Sequence, residues 1–329
     1  MDTIRNRVGE VYEPFKVRFL EREIHALADD EVLVRVRASA ICGSDLHIAR
    51  GLHPSAPLPV TIGHEFSGDV TAVGSGVDNV RVGQRVTVEP CIVCGKCRHG
   101  DYGYCEHISF TYRNGDGAMA DYVVAKAPYV YELPEYLTYE TGALIEPLSV
   151  ATHAVRRAQV ALGETVLIIG AGAIGMMVAA MCRRSGAAQV IIADFSDSRL
   201  EMALQVGATI AINSGRADLE QEVARLTGGK GVDKSFECVG RESCFLQAIM
   251  TLRRNGTATV VGIYEKPQVT FPASRLVTHE IRIQGAQGCC WDLPLEKFVT
   301  HTFPLEQLQQ ALNTALDRGS NSIKVIVKP

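Results

Sequence analysis

No charge of either sign dominates this sequence: 33 Lys and Arg stand against 37 Asp and Glu, a formal net charge of −4 over 329 residues. That excludes the electrostatic footprint needed to wrap nucleic acid or to hold an anionic membrane surface. No apolar stretch reaches the ~20 residues of a membrane span. The longest uncharged one, Val166–Cys182, carries Gly170, Gly172 and Gly175 near its start, which fits a strand, a turn and a helix better. Met1–Phe15 alternates charged and apolar residues and lacks the apolar core of a secretory signal, so a cytoplasmic location is expected. Repeats and low-complexity tracts are absent too. With 47% apolar and 21% charged residues the chain has the composition of a soluble globular protein, and its length suits about two domains.

What the chain does have is cysteine: ten of them, in a setting where disulfides are not expected. Four crowd together at Cys91, Cys94, Cys97 and Cys105, while Cys42, Cys182, Cys238, Cys244, Cys289 and Cys290 are scattered, most of them in apolar surroundings typical of buried free thiols. Up to about residue 147 the pattern is one of short β segments punctuated by glycine. Glu31–Ala38 alternates with period two, and Phe66–Val77 and Val80–Val88 are similar, which predicts a curled β domain. From Pro147 strands and helices alternate. Strands are expected at 166–169, 189–193, 209–212, 234–238 and 257–261, with helices after Gly175 to Arg184, after Ser196 to Val206, and at 217–226 and 242–252. Such alternation implies right-handed crossovers and a parallel sheet. After about residue 278 the chain turns β-like at 281–284, helical at 305–317 and β again at 323–327. The expected division is 1–147, 148–278 and 279–329, a nucleotide domain inserted between two parts of another.

Cys91-x2-Cys94-x2-Cys97-x7-Cys105 is the spacing of four thiolates closing a tetrahedron around Zn²⁺ in a lobe at about 90–106; with every position a Cys, no coordination site stays open, so this zinc is structural. A looser signature pairs Cys42-Gly-Ser44-Asp45-Leu-His47 with Gly63-His64-Glu65-Phe-Ser-Gly68. Taken singly, Cys42 reads as core and Glu146 as a turn cap. Taken together, a thiolate, an imidazole and an acid make the mixed ligand set of a catalytic zinc with an open position. Glu146, an isolated carboxylate in the apolar run 143–147, is the second acid suited to complete it.

Gly170-Ala-Gly172-Ala-Ile174-Gly175 follows an expected strand and opens a helix. The first glycine permits the tight turn, the second lets backbone approach a pyrophosphate, and the third allows close helix–strand packing. The helix N-terminus then offers N–H groups to the phosphates. Asp194 ends the next strand, where a carboxylate accepts ribose hydroxyls and repels a 2′-phosphate. Phe195, Ser196 and Asp197 follow it without an immediate Arg, which favours NAD over NADP. Arg199, one turn further on, joins the cofactor-binding set. Val239, Val261, Gly262 and Ile263, at the ends of later strands, are placed to line the nicotinamide side, because ligands sit at strand C-termini in such sheets.

With these motifs in order and at these spacings, the chain resembles the zinc-dependent medium-chain alcohol dehydrogenases over nearly its whole length. Gly43-Ser44-Asp45 and Leu144-Ile145-Glu146-Pro147-Leu148-Ser149 look most like the polyol, sugar-acid and threonine dehydrogenase branch. The resemblance implies an α/β protein: a GroES-like β-barrel catalytic domain with an inserted Rossmann domain, assembled as a homodimer or homotetramer. It implies two zinc ions per subunit, Cys42 and His64 as zinc ligands, and Glu65 and Glu146 sharing the remaining positions. It also implies Asp45 orienting an imidazole, Ser44 bridging the alcohol to the ribose, and His47 carrying the proton to solvent. The expected reaction is hydride transfer between a secondary alcohol and NAD, with a polyol, sugar acid or similar small hydroxylated molecule as substrate, and with neither nucleic acid nor membrane as partner. Two other readings are an amino-alcohol oxidation of the L-threonine 3-dehydrogenase kind and, more distant, a zinc-binding regulatory protein without activity.

Two departures stand out. Sorbitol dehydrogenases usually carry a Tyr shortly after the His47 position and an Arg-Tyr pair after the last sheet strand. This chain has Ile48 and Gly288-Cys289 there, which argues against sorbitol itself. Trp291-Asp292 also runs almost directly into 293–301, where relatives usually insert roughly three turns of helix.

Overall fold

The computed structural model describes residues 4–53, 56–94, 105–110, 117–264, 266, 268–287 and 299–329. In chain order, the first part holds β1 (Arg5–Glu13), β2 (Lys16–Glu23), β3 (Glu31–Ala40), α1 (Gly43–Ala49), β4 (Val60–Thr61), β5 (Glu65–Val73), β6 (Arg85–Val88), β7 (Cys91–Ile92), β8 (Ser109–Phe110), β9 (Tyr122–Lys126), β10 (Val130–Glu132) and α2 (Tyr139–Ala143). Then follow α3 (Ile145–Ala158), β11 (Thr165–Ile169), α4 (Ala173–Arg184), β12 (Gln189–Asp194), α5 (Asp197–Val206), β13 (Ile210–Asn213), α6 (Leu219–Leu226), β14 (Val232–Glu237), α7 (Glu242–Met250), β15 (Leu252–Val260), α8 (Ser274–His279) and β16 (Arg282–Gly285). The chain finishes with β17 (Val299–Pro304), α9 (Leu308–Leu316) and β18 (Lys324–Lys328).

Two compact units form. Met1–Glu146 with Pro294–Pro329 make the first, Pro147–Leu293 the second. In the first, β3 is the organising strand: it pairs antiparallel with β5, β9 and β18, so the chain's last strand lies against one of its earliest. Its alternation buries Val32, Val34 and Val36 with Val70, Val86 and Val123 on one side. A second cluster packs Ile41, Ile48 and Ile62 against Leu308, Leu312 and Val325 from the C-terminal return.

The second unit is a six-stranded parallel sheet in the order β13-β12-β11-β14-β15-β16. This is the doubly wound arrangement, with its order reversing between β11 and β14. The near-continuous apolar runs of β11 and β12 are what a sheet covered on both faces requires.

Several sequence expectations shift. The strand expected over 66–77 ends at Val73, because Gly74 and Gly76 turn to bond Glu31 and Asp29 carbonyls. The strand expected over 80–88 begins only at Arg85. The helix expected to reach Leu252 stops at Met250, and Leu252 opens β15 (Leu252–Val260), which includes Asn255-Gly256. Asn255 adopts φ 61°, and the register against β14 jumps from Val232↔Leu252 to Lys234↔Thr257, so the strand's pairing is interrupted at Asn255-Gly256. Arg282–Gly285, expected within the C-terminal return from 279, pairs parallel with β15 and completes the second unit's sheet.

Candidate active site

The first unit brings Cys42, His64 and Glu65 together: each offers one ligand atom, and the three atoms lie within 4.8 Å of one another. Local structure explains the convergence. Cys42 is the N-cap of α1, and its N–H donates to Asp45 Oδ2 (2.9 Å), a carboxylate one turn into the helix. The other oxygen, Asp45 Oδ1, accepts from the Gly63 N–H (3.2 Å) and lies 3.4 Å from His64 Nδ1. One fully buried carboxylate thus ties the Cys42 segment to the Gly63-His64 segment. Burial opposes the charge on Asp45, but His64 and the two backbone N–H groups more than offset this and hold its carboxyl below the usual range. Glu65 opens β5 opposite Ala40 of β3, which fixes its place beside His64.

Glu65 has a partner the sequence reading missed. Lys324, on β18 and 4% exposed, donates from Nζ to Glu65 Oε1 (2.7 Å) and Oε2 (2.5 Å) and to the Ile41 carbonyl (3.3 Å). The available signal was a lone lysine inside the apolar stretch 323–327, a place where an unpaired ammonium is costly. Glu146 falls outside the trio. Burial, reinforced by the neighbouring negative charges of Glu65 and Asp45, pushes its carboxyl up to about 7 against the opposing pull of His64 and Lys324. Ser44 is buried on α1, and His47 lies one turn on, half-buried. Ile48, at the position where sorbitol dehydrogenases carry a Tyr, is fully buried in the apolar cluster. Gly288, Cys289 and the short segment after Trp291 lie outside the described residues.

Of the clustered cysteines, Cys91 sits on β7 opposite Phe110 of β8, and the Cys94 N–H points at Cys105 Sγ, 3.4 Å away. Tyr129 clamps the base of this segment, accepting from the Val93 N–H (3.0 Å) and donating to the Val93 carbonyl (2.9 Å). Cys97 lies outside the described residues.

In the second unit, Gly170 turns the chain at φ 99° after β11, and Gly172 is the N-cap of α4. A Cβ on Gly175 would meet the Gly170 carbonyl oxygen at 1.8 Å, so this turn admits no side chain there. Asp194 holds the loop: Oδ2 accepts from the Ala171 N–H (2.8 Å), and Oδ1 accepts from the N–H groups of Phe195 (2.8 Å) and Ser196 (3.0 Å). Ile174 lies on the first turn of α4 and Arg199 on the first turn of α5, whose cap is Ser196. Val239 and Ile263, 42% and 53% exposed, present apolar side chains beyond the C-terminal ends of β14 and β15, beside Val261 and Gly262.

Comparison with known proteins agrees with this architecture. Residues 28–135 match the alcohol dehydrogenase GroES-like domain, and residues 173–299 match the zinc-binding dehydrogenase domain. The chain is 35% identical over 319 residues to sorbitol dehydrogenase of Bacillus subtilis (strain 168), covering 91% of this chain and 90% of that protein. The structure of 2R,3R-butanediol dehydrogenase from Bacillus subtilis superposes with a TM-score of 0.90 at 30% identity, covering 98% of this chain and 99% of that one. A protein named short chain alcohol dehydrogenase from Escherichia coli CFT073, complexed with NADH, gives a TM-score of 0.90 at 28% identity over 99% of both chains. The chain belongs to the zinc-dependent medium-chain alcohol and polyol dehydrogenases.

Proposed function

We propose that the protein is an NAD-dependent, zinc-dependent dehydrogenase that interconverts a secondary alcohol and its ketone, with a polyol, sugar acid or related small hydroxylated molecule as substrate. The observation that carries this reading is the trio of Cys42, His64 and Glu65, whose ligand atoms lie within 4.8 Å of one another. A thiolate, an imidazole and a carboxylate form a donor set that suits Zn²⁺ and leaves one of four positions for substrate. When bound, the ion supplies Lewis acidity that lowers the pKa of an alcohol hydroxyl.

The remaining work belongs to the chain. Asp45 fixes the His64 ring and makes it a better donor to a cation. Lys324 holds Glu65 in place, and Glu146 stands nearby as a second acid. Ser44 and His47, one turn apart on α1, share a helix face and take the hydroxyl proton outward. Cys91, Cys94, Cys97 and Cys105 hold the second, structural zinc. The Gly170–Gly175 turn receives the pyrophosphate of NAD, and the exposed Val239 and Ile263 give the nicotinamide an apolar bed. The protein's share in hydride transfer is positioning and charge. Support for NAD over NADP is the negative Asp194 beside the ribose position.

The test is a spectrophotometric screen of polyols, aldonates, inositols and amino alcohols with NAD and with NADP, before and after chelation. The expected result is NAD reduction by a secondary polyol or sugar acid, lost on chelation and restored by Zn²⁺. Turnover with L-threonine and none with polyols would replace the substrate class, and full turnover in metal-free protein would overturn the zinc reading.

A further inference from the structure

Glu237 is a buried carboxylate that the reaction outlined above does not use. It ends β14 at 1% exposure, in the second unit, where the order of strands reverses. Every oxygen of the residue is engaged. Oε1 accepts from the N–H groups of Val239 and Gly240 (both 2.8 Å), and the backbone carbonyl accepts from Val261 (2.9 Å) and Gly262 (3.0 Å). Oε2 accepts from the Tyr264 hydroxyl (2.9 Å). One residue therefore knits together the loops that follow β14 and β15.

The packing around it leaves no slack. A Cβ on Gly240 would meet the Ile263 carbonyl oxygen at 2.1 Å, and one on Gly262 would meet the Gly240 nitrogen at 2.2 Å and Glu237 Oε2 at 2.7 Å. The phenol ring of Tyr264 is itself fixed, standing edge-on to Phe245 of α7 with centroids 6.5 Å apart, while Phe245 stands edge-on to Phe271 at 5.9 Å. The same loop reaches the glycine turn. The Cys238 N–H donates to the Ile169 carbonyl (3.0 Å), and the Val239 side chain lies where a Cβ on Gly170 would come within 2.7 Å.

The two halves of a dinucleotide bound at this turn extend to opposite sides of it. Asp194, after β12, marks the adenosine side, which leaves the loops after β14 and β15 for the nicotinamide half. These are the loops that Glu237 and Tyr264 hold. We propose that the Tyr264 hydroxyl and the Glu237 carboxylate form a latch that positions Val239, Val261 and Ile263 against the nicotinamide half of the cofactor, Tyr264 acting as a positioning residue for that half alone. The proposal rests on the dinucleotide reading given above.

The experiment compares the affinities of the zinc-loaded enzyme for NADH and for ADP-ribose, which lacks the nicotinamide, in the wild type, Tyr264→Phe and Glu237→Gln. Tyr264→Phe deletes one oxygen and leaves Glu237 Oε2 buried without its donor. Without that bond the two loops relax in the free protein and must be re-ordered on binding, so NADH affinity is expected to fall about tenfold, with ADP-ribose affinity unchanged. Glu237→Gln keeps an acceptor for the two loop N–H groups and gains an amide that can donate to Tyr264, so its NADH affinity stays within about twofold of the wild type. Unchanged NADH affinity in Tyr264→Phe, an equal loss for both ligands, or a loss in Glu237→Gln as large as in Tyr264→Phe would each overturn the latch. A wild type that binds neither ligand would overturn the dinucleotide reading, and the latch with it.

Discussion

At the scale of single residues, the candidate metal site is a balance of buried charges. Asp45 faces His64 and Lys324 faces Glu65, so two of the candidate ligands each stand beside an oppositely ionising group of the protein. Removing one partner of a buried pair leaves the other stranded, which costs about 3–5 kcal/mol. Lys324→Met is therefore expected to lower the thermal midpoint of chelator-treated protein strongly. It should lower that of zinc-loaded protein less, because the ion supplies the positive charge that the lysine gave to Glu65. Thermal unfolding with and without chelator measures both, and a variant that loses equal stability in the two states would contradict this. Of these residues, Asp45 was legible through the family resemblance, since its motif with Cys42, Ser44 and His47 is written within six positions. Lys324 was not, because it lies 259 positions from Glu65 and only strand pairing brings the two together.

At the scale of elements, β3 does most to hold the first unit, and its first residue sets part of that unit's acid stability. Burial works against the charge on Glu31, but the Ala28 N–H, His25 and Lys126 of β9 together outweigh it and keep the carboxyl below its ordinary range. A depressed folded-state pKa adds stability that is complete above the unfolded value and is lost as pH falls through the folded one. Glu31→Gln is expected to cost about 0.5–1 kcal/mol at neutral pH. Its stability should converge with that of the wild type as pH drops below the usual carboxylate range. Urea unfolding across pH 3–7 would show the convergence (about the span in which carboxylates titrate); curves that stay parallel into acid would rule it out. Among the elements, β11 and β12 were read correctly from uninterrupted apolar runs. The strand expected at 257–261 opens earlier, at Leu252, a residue the reading placed at the end of a helix, and pairing with β14 is what assigns it to the sheet.

At the scale of the whole molecule, the chain carries two sets of candidate zinc ligands with different chemical logic, both in the first unit. Four thiolates leave no coordination position open, so metal held by Cys91, Cys94, Cys97 and Cys105 should exchange slowly and act on stability. Cys105→Ser is expected to reduce the zinc content from two to one per chain and to lower the thermal midpoint, while NADH binding by the second unit persists. Elemental analysis and calorimetry check this, and a variant that kept both ions and its full midpoint would sink the structural-zinc assignment. Among the described residues no helix is long and apolar enough to cross a membrane, in line with the short apolar runs of the sequence.

The amino-acid sequence by itself determined the short-range devices: the glycine turn after β11 and the spacing of the cysteine cluster. Each is dictated by backbone geometry within a few residues, so spacing alone reveals it. Tertiary structure brought the Glu65 carboxylate within 4.8 Å of the Cys42 and His64 ligand atoms, paired it with a lysine from the last strand, and placed Arg282–Gly285 in the second unit's sheet. Those outcomes depend on strands distant in the chain pairing in one register, and the energy of such pairing lies in contacts that no local pattern records.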